Sequence, residues 1–150
     1  MAAPAITPRR WSVLQPLPLW ARLFLGMVAI LLIGGYYQMR ALGHFQSAWI
    51  AAHRTRDVAS LEAMVCWDGV EEAERQRMRL LLAQEVEHPL RTTVVRLGFG
   101  GSTQAGWKAN RFVLGHLDLV YDTPERLTVS FPLGFASVSR PCVVMMVREK

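Results

Sequence analysis

The sequence predicts an α+β domain behind a single N-terminal transmembrane helix, with two helices packed on a curved antiparallel sheet of about four strands. Three observations predict it. A long, nearly uncharged apolar run lies close to the N-terminus. Apolar residues then recur at helical spacing over residues 45–86. From Leu90 onward the spacing becomes two, in runs bounded by Gly and Pro. The resulting organisation is a basic tail over 1–16, a transmembrane helix over 17–39 and a soluble domain over 40–150.

The tail carries Pro4, Pro8 and Pro16 among small and basic residues, which predicts disorder. Leu23–Tyr37 has no charge, but its 15 residues span only about 22 Å as a helix. A hydrocarbon core is about 30 Å thick. Extending the run to Leu17 gives 21 residues and about 31 Å. The one charge this admits, Arg22, lies near the end and can snorkel to the headgroups. Trp20 at one end, and Tyr36 and Tyr37 at the other, suit the two interfaces. Pro18 fits a first helical turn, where its missing N–H costs nothing. Two competing readings are a cleaved signal peptide, with Ala41-Leu42-Gly43 as the cleavage pattern, and a buried core helix. The bulky junction Tyr36–Arg40 argues against cleavage. Arg9-Arg10 only partly matches a twin-arginine signal.

The pI of about 9.9 invites a nucleic-acid reading. The location of the charge argues against it. Residues 1–40 hold Arg9, Arg10, Arg22 and Arg40 and no acid, a net +4, whereas residues 41–150 carry a net +1. The basicity belongs to the flanks of the apolar run, where anionic lipid is the natural partner, and no nucleic-acid face is expected. Arg9, Arg10 and Arg22 on the N side outnumber Arg40 close by on the C side, whereas including Arg54 and Arg56 further out makes the count a tie; the nearby residues weigh most. This favours an N-terminus in the cytoplasm and a domain outside it. In a double-membraned bacterium that means an inner-membrane, single-pass protein with a periplasmic domain. Cys66 and Cys142 could pair in such an oxidising compartment, or be two unrelated buried thiols.

Within the domain, Phe45, Ala48, Trp49 and Ala52 form an amphipathic helical stripe, which can run on from the apolar span because only Gly43 interrupts. The polar run His53–Asp57 breaks the pattern. Asp57 is placed to cap a new turn, after which Val58, Leu61, Met64 and Val65 continue an apolar stripe. Cys66-Trp67-Asp68-Gly69 reads as a turn, with Gly69 suited to positive φ. A second helix is predicted from about Val70 to Glu87, acidic at its start, with Glu71 spaced to pair with Arg75 and with Met78, Leu81, Leu82 and Val86 buried. Pro89 ends it. Strands are predicted over Thr92–Phe99, Phe112–Tyr121, Arg126–Phe131 and Cys142–Arg148. The last is nearly all apolar and so is expected to be central. Gly98–Gly106 reads as a flexible loop without the Lys-Ser or Lys-Thr of a phosphate loop. Asp122–Glu125 reads as a turn, and Pro132, Gly134 and Pro141 as loop punctuation.

The stretch Phe45–Val65, FQSAWIAAHRTRDVASLEAMV, resembles the first helix of nuclear transport factor 2-like (cone-shaped α+β) domains, which breaks at an Arg-Asp and is followed by a Leu two turns on. The resemblance covers residues 44–148 and implies curved antiparallel strands closing around a pocket. Members of that superfamily include small isomerases and dehydratases, and also binding or assembly modules. Some secretion-system subunits share the layout of one N-terminal span and a periplasmic domain of this kind.

Catalytic motifs are scarce. His44, His53, His88 and His116 have no metal-ligand spacing with each other or with Cys, and there is no HExxH, CxxC or GxSxG. No metal and no cofactor is implied. The best acid–base candidates are His116 and Asp118, which a strand places side by side on one face. Asp57 and Asp68 could join them. Trp49, Trp67 and Trp107 read as core or rim aromatics. Two functions follow as expectations. One is a protein-binding or assembly subunit of an envelope complex, with the bilayer and other membrane or envelope proteins as partners. The other is a membrane-tethered isomerase or hydrolase using His116 and Asp118.

Overall fold

The computed structural model describes residues 17–98, 107–124, 127–137 and 139–148. The predicted tail over 1–16 and most of the loop Gly98–Gly106 lie outside them. The chain divides into two compact units, one up to Gly34 and one over Gly35–Lys150, and each is described by itself.

In the first unit the described residues from Leu19 onward belong to α1 (Leu19–Arg54), a 36-residue helix with an apolar window long enough to cross a membrane and no part of that window buried. Pro18 stands just before it, and the Ala21 and Arg22 N–H groups donate to its carbonyl.

The second unit begins with the remainder of α1. The helix continues through Gly43 without a break: Phe45, Trp49 and Ala52 of the predicted stripe bury and Leu42 joins them, whereas Ala48 stays exposed on the flank. That packing outweighs the roughly 1 kcal/mol a helical glycine costs. His53, read as part of a polar break, is buried on the same face, so the stripe extends one residue further than its polarity implied. α1 then stops in a Schellman geometry: the Asp57 N–H donates to the Ala52 carbonyl and the Arg56 N–H to that of His53. Arg56 takes the left-handed conformation this requires (φ 55°). Asp57 caps α2 (Val58–Ala63), accepting from the Ser60 N–H at 3.0 Å and its hydroxyl at 2.5 Å. Gly69 adopts φ 69°, as its turn demands.

α3 (Glu72–Glu85) is the second predicted helix, shortened at both ends. Leu82 and, just past the helix, Val86 bury, whereas Leu81 is exposed on the flank. The Arg75 and Glu71 side chains form no ion pair among the described residues, although the Arg75 backbone N–H donates to the Glu71 carbonyl. The Arg75 guanidinium donates to the Val70 and Trp67 carbonyls and stands over the Trp67 ring, stitching α3 to the preceding turn.

The main sheet is antiparallel, in the order β1 (Leu90–Leu97), β3 (Gly115–Tyr121), β4 (Thr128–Ser137), β5 (Arg140–Val143). Its inner face, Leu117, Leu119, Tyr121, Phe131 and Leu133, packs in one core with Trp49, Leu61 and Leu82 from the helices. A two-stranded sheet pairs β2 (Trp107–Ala109) with β6 (Met146–Arg148).

Two expectations about the sheet are corrected. β4 does not end at Phe131; it runs through Pro132 and Gly134. The ladder alternation turns Pro132 toward β5, where its carbonyl accepts from the Val144 N–H at 2.8 Å. The reciprocal bond is the one a proline cannot make, and there the β4–β5 ladder stops. The predicted last strand therefore splits into β5 and β6. Nor is β5 central: it is an edge strand. It is apolar because a second segment covers it. The Val143 N–H donates to the Met64 carbonyl, the Cys66 N–H donates to Val143, and a disulfide joins Cys66 to Cys142.

Candidate functional site

His116 and Asp118 occupy the outer face of β3, as their spacing predicted, but their surroundings differ from each other. Asp118 is 6% exposed although it points away from the core. Ser130 is its register partner on β4, and Arg96 on β1 is diagonal to it. Arg96 grips the carboxylate as a fork. Its Nη2 is 3.0 Å from Oδ1, its Nε meets Oδ2, and the Ser130 hydroxyl donates to Oδ1 at 2.7 Å. These bonds, Arg96 first, hold the Asp118 carboxyl below the usual aspartate range against the opposing effect of burial. His116 is half-buried, and no hydrogen bond joins it to Asp118 among the described residues. Asp118 is thus the acceptor of an ion pair that binds β1, β3 and β4 together. A carboxylate held ionised by a guanidinium is a weak base.

The other acids stand elsewhere. Asp57 is committed to the α2 cap, and Asp68 pairs with Arg111 at 2.5 Å. The structure does not bring either to His116. Trp49 is fully buried between Phe45 and Phe131, while Trp67 donates its indole N–H to the Glu62 carbonyl at 2.9 Å. Among the described residues no group of three His, Cys, Asp or Glu side chains is placed to hold a metal ion.

A polar cluster that the sequence did not single out lies where α1, α3 and β3 meet. His53 donates from Nε2 to the Glu85 carbonyl at 3.0 Å, and the Tyr121 hydroxyl donates to the Glu85 carboxylate. Burial pushes the His53 pKa down, and burial followed by the Glu85 contact pushes that of Tyr121 up. Its members come from residues 53, 85 and 121, so no local spacing could reveal it.

An accessible interaction feature is the outer edge of β1. The Gly98 N–H donates to the Leu114 carbonyl, which fixes the ladder alternation. Even-numbered residues of β1 from Thr92 onward bond to β3, and the N–H and C=O groups of Thr93, Val95 and Leu97 point outward. Gln46 of α1 donates to the Thr93 carbonyl at 2.9 Å and to its hydroxyl at 2.8 Å. The outward groups of Val95 have no partner among the described residues. Beside them Val94 is 45% exposed and Leu97 is 55% exposed. An open edge with apolar side chains can accept a further strand.

Fold and edge together define a disulfide-bonded α+β domain with a candidate membrane span before it. Compared with known protein families and with curated proteins, the chain matches none.

Proposed function

We propose that this is a single-span, signal-anchored membrane protein whose domain lies outside the cytoplasm and serves as a protein-binding subunit of an envelope complex. The observation that carries the binding role is the open outer edge of β1. Main-chain groups of an extended partner segment would bond to Val95, and Val94 would supply apolar contact. The Cys66–Cys142 bond supports the compartment, since such bonds persist in oxidising surroundings. In a double-membraned bacterium this is the periplasmic side of the inner membrane. The role agrees with the binding modules among nuclear transport factor 2-like domains, which the stretch Phe45–Val65 resembles.

The test places a photo-crosslinking residue at Val94 in the full-length chain in its own membranes, with Leu80 on the exposed side of α3 as control. A discrete adduct from position 94 and none from position 80 supports the reading. No adduct at 94, or the same adducts from both, refutes it. A reporter at the C-terminus that works only outside the cytoplasm checks the orientation.

A further inference from the structure

We infer that the end of the domain at which α1 enters it rests in the headgroup layer of the membrane, with lipid filling the two apolar clefts found there. The inference rests on reading Leu17–Tyr37 as the span. An α-helix rises about 1.5 Å per residue, so Leu42 stands at most about 8 Å beyond Tyr37. The polar layers extend a bilayer by about 5–8 Å on each side of the hydrocarbon. Residues 37–42 therefore lie between the acyl boundary and the outer headgroups, Gly35 and Tyr36 lie just inside the hydrocarbon, and helix tilt only brings them deeper.

The sheet shares that level. Gly35, Met39 and Leu42 line a cleft of about 220 Å³ together with Leu97, Leu114 and Phe135. These three sheet residues come from the end of β1, the approach to β3 and the outer half of β4. Round the helix, Tyr37, Arg40 and His44 line an open cleft of about 490 Å³ with Ser139, Arg140 and Pro141. Arg40 and Arg140 both line the second cleft, and neither lining contains Asp or Glu. Apolar side chains at the acyl boundary with guanidinium groups beside them match the depth profile of an anionic leaflet. Continuity with the span favours lipid as the occupant: the clefts begin on the helical turn in which the apolar run ends. The domain would thus touch the bilayer surface as well as being tethered to it.

The test uses the full-length chain in vesicles of phosphatidylethanolamine and phosphatidylglycerol. A nitroxide label is placed singly at Ile30→Cys, Leu80→Cys or Leu97→Cys, all exposed positions. Collision with oxygen reports lipid, and collision with a water-soluble nickel chelate reports solvent. The expected result is oxygen-dominated collision at 30 and 97 and nickel-dominated collision at 80. Lipid at 30 with water at 97 overturns the inference and leaves the span intact. Water at 30 overturns both. A label at 97 shielded from both agents marks a protein contact, such as a second copy, and also overturns the inference. Arg40→Glu combined with Arg140→Glu should shift position 97 toward nickel in these vesicles. An unchanged ratio would refute the assignment of the two arginines to lipid phosphate.

Discussion

Removing the Cys66–Cys142 bond should bring the domain close to its stability limit. The perturbation is Cys66→Ala with Cys142→Ala, so that no lone thiol is left. The bond closes a loop of sequence separation 76, which contains α3 and β1 to β4. The chain-entropy relation then gives about 4.5 kcal/mol at 25 °C. Domains of this size have total stabilities of about 5–15 kcal/mol. Next to the bond, the segment 64–66 is also held by two backbone hydrogen bonds of 2.9 Å each to β5 and by the buried Val65; these native contacts do not restrain the unfolded chain, so its gain in entropy is uncompensated. The assay is urea unfolding of the detergent-solubilised full chain, followed by Trp fluorescence, which Trp49 in the core should report. Reduced wild-type protein should unfold with the double variant. A loss below about 1 kcal/mol would refute the reasoning, because the loop would then be restrained without the bond.

Three further outcomes are expected. Asp118→Asn, which takes the charge out of the Arg96 fork, should lower stability at neutral pH. Because the folded pKa of Asp118 is depressed, the wild-type advantage is full above the ordinary value of 3.8 and vanishes as pH falls through the folded pKa, which urea midpoints across that range would register. His53 is buried neutral with a lowered pKa, so its contribution is present above its ordinary 6.5 and is lost as pH falls through the lower folded value. His53→Gln should flatten the stability profile in that window, and an unchanged slope would show that His53 does not titrate there. Gly134→Ala would place a Cβ 2.5 Å from the Phe112 carbonyl oxygen and 2.7 Å from Val144 Cγ2, and should cost about 1–3 kcal/mol by thermal denaturation.

Much of the fold is legible where a local signal and the tertiary outcome agree. The apolar span, the Asp57 cap, the positive φ at Gly69 and the alternation of Leu117, Leu119 and Tyr121 are each set within a few residues. The misread elements depend on distant partners. Pro132 reads as a loop residue because a proline cannot complete a ladder, yet it lies where only one of two bonds is needed. Residues 142–148 read as one central strand because they are apolar, whereas the segment 64–66, 76 residues upstream, supplies the cover. His53 and Asp118 are polar residues in buried places. Their partners, Glu85 for one and Arg96 with Ser130 for the other, are known only once the sheet register is known. For the same reason His116–Asp118 was legible as a juxtaposition, while the ion pair that occupies Asp118 was not.

The covered edge at β5 has a consequence for assembly. A sheet that is open at both ends can add molecules without limit, each new chain offering a fresh template. Here the β5 end of the four-stranded sheet is stoppered by residues 64–66 and locked by a covalent bond, which leaves β1 as its growing end. Strand addition on a one-ended sheet terminates after a single event: two copies meeting through β1 would close on each other, and a copy that has taken a partner strand has nothing left to offer. On the proposed reading of the N-terminal helix as an anchor, chains would be concentrated and aligned in the plane of a membrane, and that stopper would separate a finite complex from a fibre.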